Sequence, residues 1–221
     1  MKRALMVVAK RPKPGQTKTR LSPPLSADQA SGLYQCFLED TLDLARAVPD
    51  AARILAFAPR DEASFFGGLA PDFTLIPQVG RDLGERLDNA LACCFGEGFS
   101  RSVVVGSDSP TLLAAHIARA FDLLEEADVV LGPCDDGGYY LVGLKRPQPG
   151  LLRRVRMSTP TVLRDTLALA KREGLRVALV PPCYDVDTVE DLMRLQIELK
   201  QTPGEIASHT RRFLRDLRWV P

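Results

Sequence analysis

The amino-acid sequence predicts a single α/β domain with a mixed, mostly parallel sheet and helices on both faces. Short apolar runs alternate along the chain with amphipathic stretches of helical length, which is typical of successive βα units. The 221 residues contain no linker, internal repeat or low-complexity segment that would mark a second domain. We therefore expect residues 1–203 to form one domain and residues 204–221 to form a helical tail.

Seven short apolar runs are the predicted strands, because each is bounded by turn residues and is too short for a typical helix. They are residues 4–9, 53–58, 73–77, 103–106, 128–132, 139–144 and 175–180. The stretches between them have helical periodicity, and Ser26 and either Ser158 or Thr159 are expected N-caps. The predicted helices are residues 26–47, 61–69, 82–95, 111–126, 159–173 and 189–200, with a short helix after residue 203.

Composition gives three general expectations about partners and location. The 29 Lys and Arg residues against 28 acids leave a net charge of +1, which gives no reason to expect a nucleic-acid partner. The five cysteines form no C-x-x-C pair, which is typical of a protein of the reducing cytoplasm. No run approaches the roughly 20 apolar residues that cross a bilayer, so we expect no membrane span.

The residues from Arg101 to Thr111 carry the first chemical signal. An apolar run ends at Gly106, and the carboxylate of Asp108 follows at the expected carboxyl end of a buried central strand. Ligands of open α/β sheets bind at that edge, because the loops that leave the strands converge there. Asp108 is therefore a candidate metal ligand. An N-cap role for Asp108 or Ser109 in the next helix explains the same residues equally well.

A basic loop follows the first predicted strand. Residues 10–20 contain five cations and no acid, and Pro12 and Pro14 restrict the backbone. Cations and free backbone N–H groups at a strand tip suit phosphate oxygens, so we predict a phosphate-binding loop rather than a solvated one. The loop matches neither G-x-x-x-x-G-K-[ST] nor G-x-G-x-x-G. Its candidate nucleotide-binding cations are Lys10, Lys13, Lys18 and Arg20.

Two aspartates, Asp185 and Asp187, follow the last predicted strand. Mg²⁺ and Mn²⁺ prefer carboxylate oxygens, bridge phosphates and need only one or two protein carboxylates. Asp108 and Asp187 together would meet that need. The alternative for Asp187 is an N-cap beside Thr188 for the next helix. The two roles are compatible, one for each of the paired aspartates.

Four motifs occur in order along the chain: A-K-x-P-x-x-G-x-x-K-T-R-L from Ala9, G-S-D-S-P from Gly106, D-G-G-Y-Y-L-V-G-L from Asp136 and D-V-D-T-x-x-D-L from Asp185. Together they resemble the GT-A-fold nucleotide-diphospho-sugar transferase superfamily over nearly the whole chain. Within it, the chain most resembles a bacterial glycosyltransferase-like family often found beside radical-SAM genes. It is more distantly similar to phospholactate and molybdenum-cofactor guanylyltransferases. The resemblance implies a Rossmann-like GT-A fold.

The resemblance also implies roles for individual residues. Lys10, Lys18 and Arg20 would contact the phosphates, and Asp108 and Asp187 would hold Mg²⁺ or Mn²⁺. The remaining implied residues are Gln78, Gly80, Gly84 and Arg86 for the base and ribose, and Gly137, Gly138 and Tyr139 for the acceptor. We expect Lys18, Asp108 and Asp136 to be the catalytic residues, with Asp136 as a base for an acceptor hydroxyl.

Simpler interpretations of the same residues remain open. Asp136-Gly137 also has the sequence of a hairpin turn, and Asp135 is an alternative to Asp136 as the base that activates the acceptor. Leu83, Leu87 and Leu91 have the helical spacing of core residues, which we prefer for them.

The sequence therefore predicts a metal-dependent transferase with a nucleotide-activated donor. Glycosyl transfer from a nucleotide sugar is the leading interpretation, because the family that the chain most resembles is glycosyltransferase-like. The alternative is a guanylyltransferase-like enzyme that uses a nucleoside triphosphate and a small phosphorylated acceptor and releases pyrophosphate. Pro110 favours it, since the chain keeps one acid where glycosyltransferases often show D-x-D. A non-catalytic nucleotide-binding module is the third interpretation, and a homodimer is compatible with all three.

Overall fold

One seven-stranded sheet organises the computed structural model, which describes residues 2–217. The strands are β1 (Arg3–Lys10), β2 (Ala51–Ala58), β3 (Thr74–Pro77), β4 (Arg101–Val105), β5 (Val129–Pro133), β6 (Tyr139–Leu144) and β7 (Val177–Leu179). Their order is β3-β2-β1-β4-β6-β5-β7, and among these strands only β6 runs antiparallel to its neighbours. The turn between β5 and β6 is too short for a parallel crossover, which explains this exception. The predicted mixed, mostly parallel sheet is confirmed.

The helices fill the connections between the strands, as the alternating pattern predicts. They are α1 (Ala27–Ala47), α2 (Ala63–Leu69), α3 (Leu83–Gly96), α4 (Ala114–Leu123), α5 (Val162–Arg172), α6 (Val189–Gln201) and α7 (Ser208–Leu217), with short 3-10 helices at Thr19–Leu21 and Arg60–Glu62. The predicted N-cap at Ser26 is confirmed. Its hydroxyl accepts a hydrogen bond from the backbone N–H of Gln29, whose side chain accepts one from the backbone of Ser26.

Two helices begin later than predicted. The N-cap position of α4 is Leu113, which makes no side-chain capping bond, so the start predicted at Thr111 is wrong. The N-cap position of α5 is Thr161, not Ser158 or Thr159. Ser158 has a left-handed backbone with a φ of 57°, whereas an N-cap residue is normally extended, so Ser158 does not cap α5.

The strand order places a crevice at the centre of the sheet. All five residues of β4 are buried, as predicted for a central strand, and β4 lies directly beside β1. From β1 the sheet continues through β2 to β3 on one side, whereas β4 begins the other half. At such a reversal the loops leave the two carboxyl ends in opposite directions and open a crevice between them. The ends of β1 and β4 therefore define the expected ligand site.

Both faces of the sheet are covered by helices. Leu5 and Val7 of β1 pack in a core with α1, α2 and α4, whereas Ala4 and Met6 pack in a second core with α3 and α5. This double burial explains why the strands have nearly continuous apolar sequences. Within residues 2–217, no helix is long and apolar enough to cross a membrane.

The C-terminal helix α7 is held on α1 by a buried carboxylate. Asp40 Oδ1 accepts a hydrogen bond from His209 N at 2.9 Å, and Asp40 Oδ2 accepts bonds from Thr210 N at 3.0 Å and Thr210 Oγ1 at 2.6 Å. The guanidinium of Arg211 donates to the carbonyl oxygens of Leu199 and Thr202, which ties α7 to the end of α6. The predicted tail therefore contains a packed helix, and its residues 218–221 lie outside the described part of the chain.

We expect Asp40→Ala to lower the free energy of unfolding by about 2–4 kcal/mol, because the donors at the start of α7 lose a buried charged acceptor. Urea unfolding followed by circular dichroism measures the change. Asp122→Ala, on the exposed side of α4, is the matched control and is expected to lie within about 0.5 kcal/mol of the wild type. Equal stability of the two variants would show that Asp40 does not anchor α7.

Candidate active site

A cavity of about 710 Å³ opens at the carboxyl ends of β1 and β4 and at the start of β6. Residues from the basic loop, the Asp108 stretch and the Asp185–Asp187 segment all line it, so the stretches predicted to leave the same sheet edge do meet. The predicted site residues in its lining are Lys10, Lys18, Arg20, Gln78, Arg86, Asp108, Asp136, Gly138, Tyr139 and Asp187.

The floor of the cavity is an ion cluster around Lys18. Its ammonium nitrogen lies 2.5 Å from Asp108 Oδ1 and 2.8 Å from Asp187 Oδ1, and the lysine side chain is only 5% exposed. Burial alone would lower the pKa of Lys18, but the two carboxylates raise it above its usual value. Arg20 Nη2 also contacts Asp187 Oδ2 at 2.6 Å. Lys18 therefore remains charged and joins the two predicted metal ligands.

A third carboxylate, Asp185, completes the cluster. Its Oδ1 accepts a hydrogen bond from Ser109 Oγ at 2.6 Å, and the neighbouring Val186 N donates to the carbonyl oxygen of Asp108 at 2.9 Å. Burial raises the pKa of Asp185 to about 6, and the nearby charge of Asp108 adds to this shift. The sequence singled out the aspartate pair and proposed only Asp187 for the site, because sequence spacing does not tell which of two alternate carboxylates faces a cavity.

Neither predicted metal ligand is a helix cap. The first helix after Asp108 has Leu113 at its N-cap position. The N-cap of α6 is Thr188, whose hydroxyl accepts from Asp191 N, and the Asp191 carboxylate accepts from the backbone N–H groups of Asp187 and Thr188. The capping interpretations of Asp108 and Asp187 are therefore wrong, and both carboxylates remain available to the cavity.

Tyr34 of α1 joins the two loops that bound the crevice. Its hydroxyl accepts a hydrogen bond from Lys10 N at 3.1 Å and lies 2.9 Å from Ser107 Oγ. Burial raises the pKa of Tyr34 to about 12, so this hydroxyl remains neutral. The sequence analysis missed Tyr34, because a tyrosine on the apolar face of a helix gives the same periodicity signal as a core residue.

Of the four residues predicted to contact the base and ribose, Gln78 and Arg86 line the cavity, whereas Gly80 and Gly84 do not. Gln78 Nε2 donates to the carbonyl oxygens of Ala9 at 3.0 Å and Ala56 at 2.9 Å, and Arg86 Nε donates to Gly80 O at 3.1 Å. A Cβ atom on Gly84 would lie 2.5 Å from the carbonyl oxygen of Leu152, so this glycine permits close packing of α3.

The three leucines of α3 that were predicted to be core residues have different environments. Leu91 is buried in the core that contains α3, and Leu87 both packs there and reaches the cavity. Leu83 is 38% exposed and lines the cavity, so the core interpretation of Leu83 is wrong. Its position at the first turn of α3 places it beyond the edge of the sheet, where no core covers it.

Two cations of the basic loop are directed away from the cavity. Lys13 Nζ lies 2.5 Å from Glu62 Oε1, and Arg11 Nε lies 3.3 Å from Glu62 Oε2, with its guanidinium over the ring of Phe65. Lys13 is outside the cavity lining, so its predicted nucleotide contact has no support in this geometry. Glu62 on the neighbouring 3-10 helix draws both cations away from the cavity. Sequence spacing could not predict that Glu62 lies beside this loop.

The opposite wall comes from the β5–β6 turn and from residues 157–160. Asp136-Gly137 does form the hairpin turn, with Asp136 Oδ1 accepting from Gly138 N at 2.8 Å. Gly137 has a φ of 85°, and an added Cβ would lie 2.0 Å from Pro160 O, so this glycine supports the wall from behind instead of lining it. Asp135 is ion-paired with Arg194 at 2.6 Å outside the cavity lining.

Residues Met157 to Pro160 are the largest part of the site that the sequence analysis missed. They line the cavity opposite the basic loop, and Tyr139 donates a hydrogen bond to Met157 Sδ at 3.5 Å. Ser158 or Thr159 was predicted as a helix cap. Hydroxyl residues next to a proline are typical both of caps and of the turn that they form here. Local sequence does not separate this wall role from a cap, because Thr followed by Pro is also a favourable helix start.

Comparison with known proteins gives the family. A family model described as "Uncharacterized protein conserved in bacteria (DUF2064)" matches residues 41–159, which is more than half of the chain. The chain belongs to this family. A 2-phospho-L-lactate guanylyltransferase from Methanothermobacter thermautotrophicus is 33% identical to it over 208 residues, which cover 92% of this chain and 86% of the relative.

Solved structures agree with this placement. A protein from Desulfovibrio desulfuricans G20, provisionally named a nucleotide-diphospho-sugar transferase, has a TM-score of 0.90 and 33% identity, with 98% of this chain and 95% of that chain covered. A cytidylyltransferase from Leptospira borgpetersenii, at a TM-score of 0.60 and 12% identity over 99% and 95% of the two chains, shares the fold. The predicted superfamily, its fold and the assignment of this DUF2064 member as a transferase are confirmed.

The carboxylates of Asp108 and Asp187 fit a hard divalent cation. Their Oδ1 atoms both contact one ammonium group, so the two oxygens converge on a position where the chain already holds a positive charge. Mg²⁺ commonly takes one or two carboxylates and completes its shell with water and phosphate oxygens. Within residues 2–217 no group of three or more His, Cys, Asp or Glu side chains is arranged to hold a metal, which is consistent with a site that has two carboxylate ligands.

We expect Asp108→Asn to weaken the binding of nucleoside triphosphate in the presence of Mg²⁺ at least about tenfold, because an amide is a poorer ligand for a hard cation than a carboxylate. Isothermal titration calorimetry with and without Mg²⁺ measures the difference. Asp122→Asn on α4 is the control. Unchanged Mg²⁺-dependent affinity in Asp108→Asn would reduce Asp108 to a structural role and would favour a binding module without a metal.

Proposed function

We propose that the protein is a metal-dependent nucleotidyltransferase that joins a nucleoside monophosphate to a small phosphorylated metabolite and releases pyrophosphate. The observation that carries this proposal is the pairing of Asp108 and Asp187 around Lys18. The two acids come from separate loops, and Pro110 stands where a D-x-D motif would have its second acid. This arrangement matches the nucleotidyltransferase alternative predicted from sequence better than the leading glycosyltransferase interpretation.

The cations of the cavity support a triphosphate donor. Lys10, Lys18, Arg20 and Arg86 line it beside four aspartates, Asp108, Asp136, Asp185 and Asp187, two of which would be neutralised by a bound divalent cation. A nucleoside triphosphate and the departing pyrophosphate carry more negative charge than a nucleotide sugar and its diphosphate product. Cations fixed before the reaction stabilise that developing charge without reorganisation, which is the largest contribution that proteins make to phosphoryl transfer.

In the proposed reaction, a phosphate oxygen of the acceptor attacks the α-phosphorus of the donor. The bond from the α-phosphorus to its bridging oxygen breaks, and pyrophosphate leaves with that oxygen. Lys18 and Arg20 would bind the phosphate oxygens, and Asp108 and Asp187 would hold Mg²⁺ or Mn²⁺, which supplies charge neutralisation when bound. The acceptor phosphate is already anionic and needs no general base, so Asp136 would only shape the wall through its bond to Gly138 N.

The relatives and Gln78 support a guanine nucleotide as donor. The relative from Methanothermobacter thermautotrophicus is a guanylyltransferase, and its named acceptor is 2-phospho-L-lactate. The amide nitrogen of Gln78 is engaged by two backbone carbonyls, so its Oε1 is left to accept a hydrogen bond in the cavity. Guanine offers N–H donors at its N1 and N2 positions.

Glycosyl transfer is the second candidate, and the name of the structure from Desulfovibrio desulfuricans favours it. In that reaction the C–O bond between sugar and diphosphate would break, and a hydroxyl acceptor would need a base such as Asp136. A homodimer and a cytoplasmic location remain predictions.

Detection of pyrophosphate by ³¹P NMR tests the proposal. The protein is incubated with Mg²⁺, 2-phospho-L-lactate and each of GTP, CTP, ATP and UTP, and in parallel with nucleotide sugars and small hydroxyl acceptors. We expect pyrophosphate and a new pair of diphosphate-diester (P–O–P) resonances with GTP. Free nucleoside diphosphate from a nucleotide sugar, without pyrophosphate from any triphosphate, would establish glycosyl transfer instead. Nucleotide binding without turnover in either series would support the binding-module interpretation.

We expect Asp136→Asn to retain nucleotidyl transfer to a phosphorylated acceptor within about threefold, because no proton has to be removed from that acceptor. Loss of a general base would instead lower the rate about 10²- to 10⁴-fold. Steady-state kinetics of pyrophosphate release measures the effect, and Asp135→Asn, at the adjacent exposed position outside the cavity, is the matched control. A large loss confined to Asp136→Asn would favour a hydroxyl acceptor.

A further inference from the structure

We infer that Lys18 is a built-in counter-ion that occupies the metal position of the resting site and leaves it when a metal–nucleotide complex binds. The inference rests on the metal site of the proposed function and applies to nucleotidyl and glycosyl transfer alike. Free metal and free nucleotide would each bind weakly, whereas together they would bind cooperatively.

One position cannot hold both the metal and the lysine ammonium group. Lys18 Nζ contacts Asp108 Oδ1 at 2.5 Å and Asp187 Oδ1 at 2.8 Å. Mg²⁺ binds carboxylate oxygens at about 2.0–2.1 Å, so a metal held by the same two oxygens would lie against the ammonium group. Two positive charges at that separation repel strongly in a buried site. The metal and Lys18 in its observed position therefore exclude each other.

The fold holds the Lys18 side chain in its position between the carboxylates. The side chain is only 5% exposed, and Nζ lies 5.8 Å from the ring centroids of both Tyr34 and Phe37. The backbone of Lys18 has a left-handed φ of 51° at the start of the 3-10 helix, where Leu21 N donates to Lys18 O. An ordinary residue adopts this backbone only where its surroundings impose it. The lysine is thus directed at the carboxylates and is unlike the exposed cations of the same loop.

Charge balance also opposes the binding of a metal alone. The cluster holds three carboxylates and two cations: Lys18 contacts Asp108 and Asp187, and Arg20 contacts Asp187, whereas Asp185 accepts a hydrogen bond from Ser109. A divalent cation that arrives alone must displace Lys18 and leave a buried ammonium without an anionic partner, which is strongly unfavourable. A metal–nucleotide complex brings a cation for the carboxylates and phosphate oxygens for the lysine at the same time. Lys18 therefore couples the two ligands.

Electron paramagnetic resonance of free Mn²⁺ measures metal binding without turnover. The wild type is expected to bind Mn²⁺ weakly alone and at least about tenfold more tightly with a non-hydrolysable α,β-methylene GTP. Lys18→Met removes the charge and keeps an unbranched side chain that is one atom shorter, so its affinity for Mn²⁺ alone should rise at least about tenfold, with most of the nucleotide enhancement lost. Lys18→Gln is a second variant in case Lys18→Met folds poorly in a thermal-unfolding check.

Two further variants locate the effect. Lys171→Met, at an exposed position in the last turn of α5, should bind Mn²⁺ like the wild type. The double variant Lys18→Met/Asp108→Asn should lose the gain in Mn²⁺ affinity, because the gained site uses the Asp108 carboxylate.

The outcomes separate this inference from the proposed function. If the wild type binds Mn²⁺ with the nucleotide but neither Lys18 variant binds Mn²⁺ alone more tightly, Lys18 is not a counter-ion at the metal position and only this inference is overturned. If none of the proteins binds Mn²⁺ with or without nucleotide, the metal site of the proposed function fails, and the role of Lys18 fails with it.

Discussion

The contact of the Lys18 ammonium with Asp108 and Asp187 is the interaction on which the site depends. It joins the loop after β1, the loop after β4 and the segment before α6. Like charges about 4 Å apart repel by about 4 kcal/mol at an effective dielectric constant of about 20, so aspartates gathered at one point require a cation between them. Whatever binds in the cavity therefore binds to carboxylates that are already arranged around positive charge.

The sheet makes this contact possible between residues far apart in the chain. Parallel strands end at the same edge, and the order of β1 and β4 at the centre of the sheet brings their two loops together. Tyr34 then fixes the spacing of those loops through its bonds to Lys10 and Ser107. The backbone bond from Val186 to Asp108 brings in the third segment. In α/β sheets generally, the loops after parallel strands meet at one edge. Here a few hydrogen bonds fix the positions of those loops and therefore of their charged side chains.

The two walls of the cavity differ in chemistry, and this difference suits two different ligands. One wall carries Gln78 and Arg86 beside the ends of β1 and β2, with a hydrogen-bond acceptor and a cation facing a common space. The other wall consists of the β5–β6 turn and residues 157–160, which offer hydroxyl and backbone groups. The ion cluster lies between them on the floor. The proposed nucleotide and small acceptor, on opposite sides of this ion cluster, would match the division.

The sequence by itself determined the strands, most of the helices, the mostly parallel sheet and the edge at which the chemical residues meet, because apolar periodicity is local and the lengths of the connections limit how successive strands pair. It also predicted that Lys18, Asp108 and Asp187 belong together, and these three side chains do meet. Only the tertiary structure decided that Asp185 joins the cluster, that Lys13 turns to Glu62 and that Tyr34 and residues 157–160 complete the cavity. Each of these outcomes depends on a partner that is far away in the sequence. Local sequence spacing does not tell which distant residue a side chain contacts.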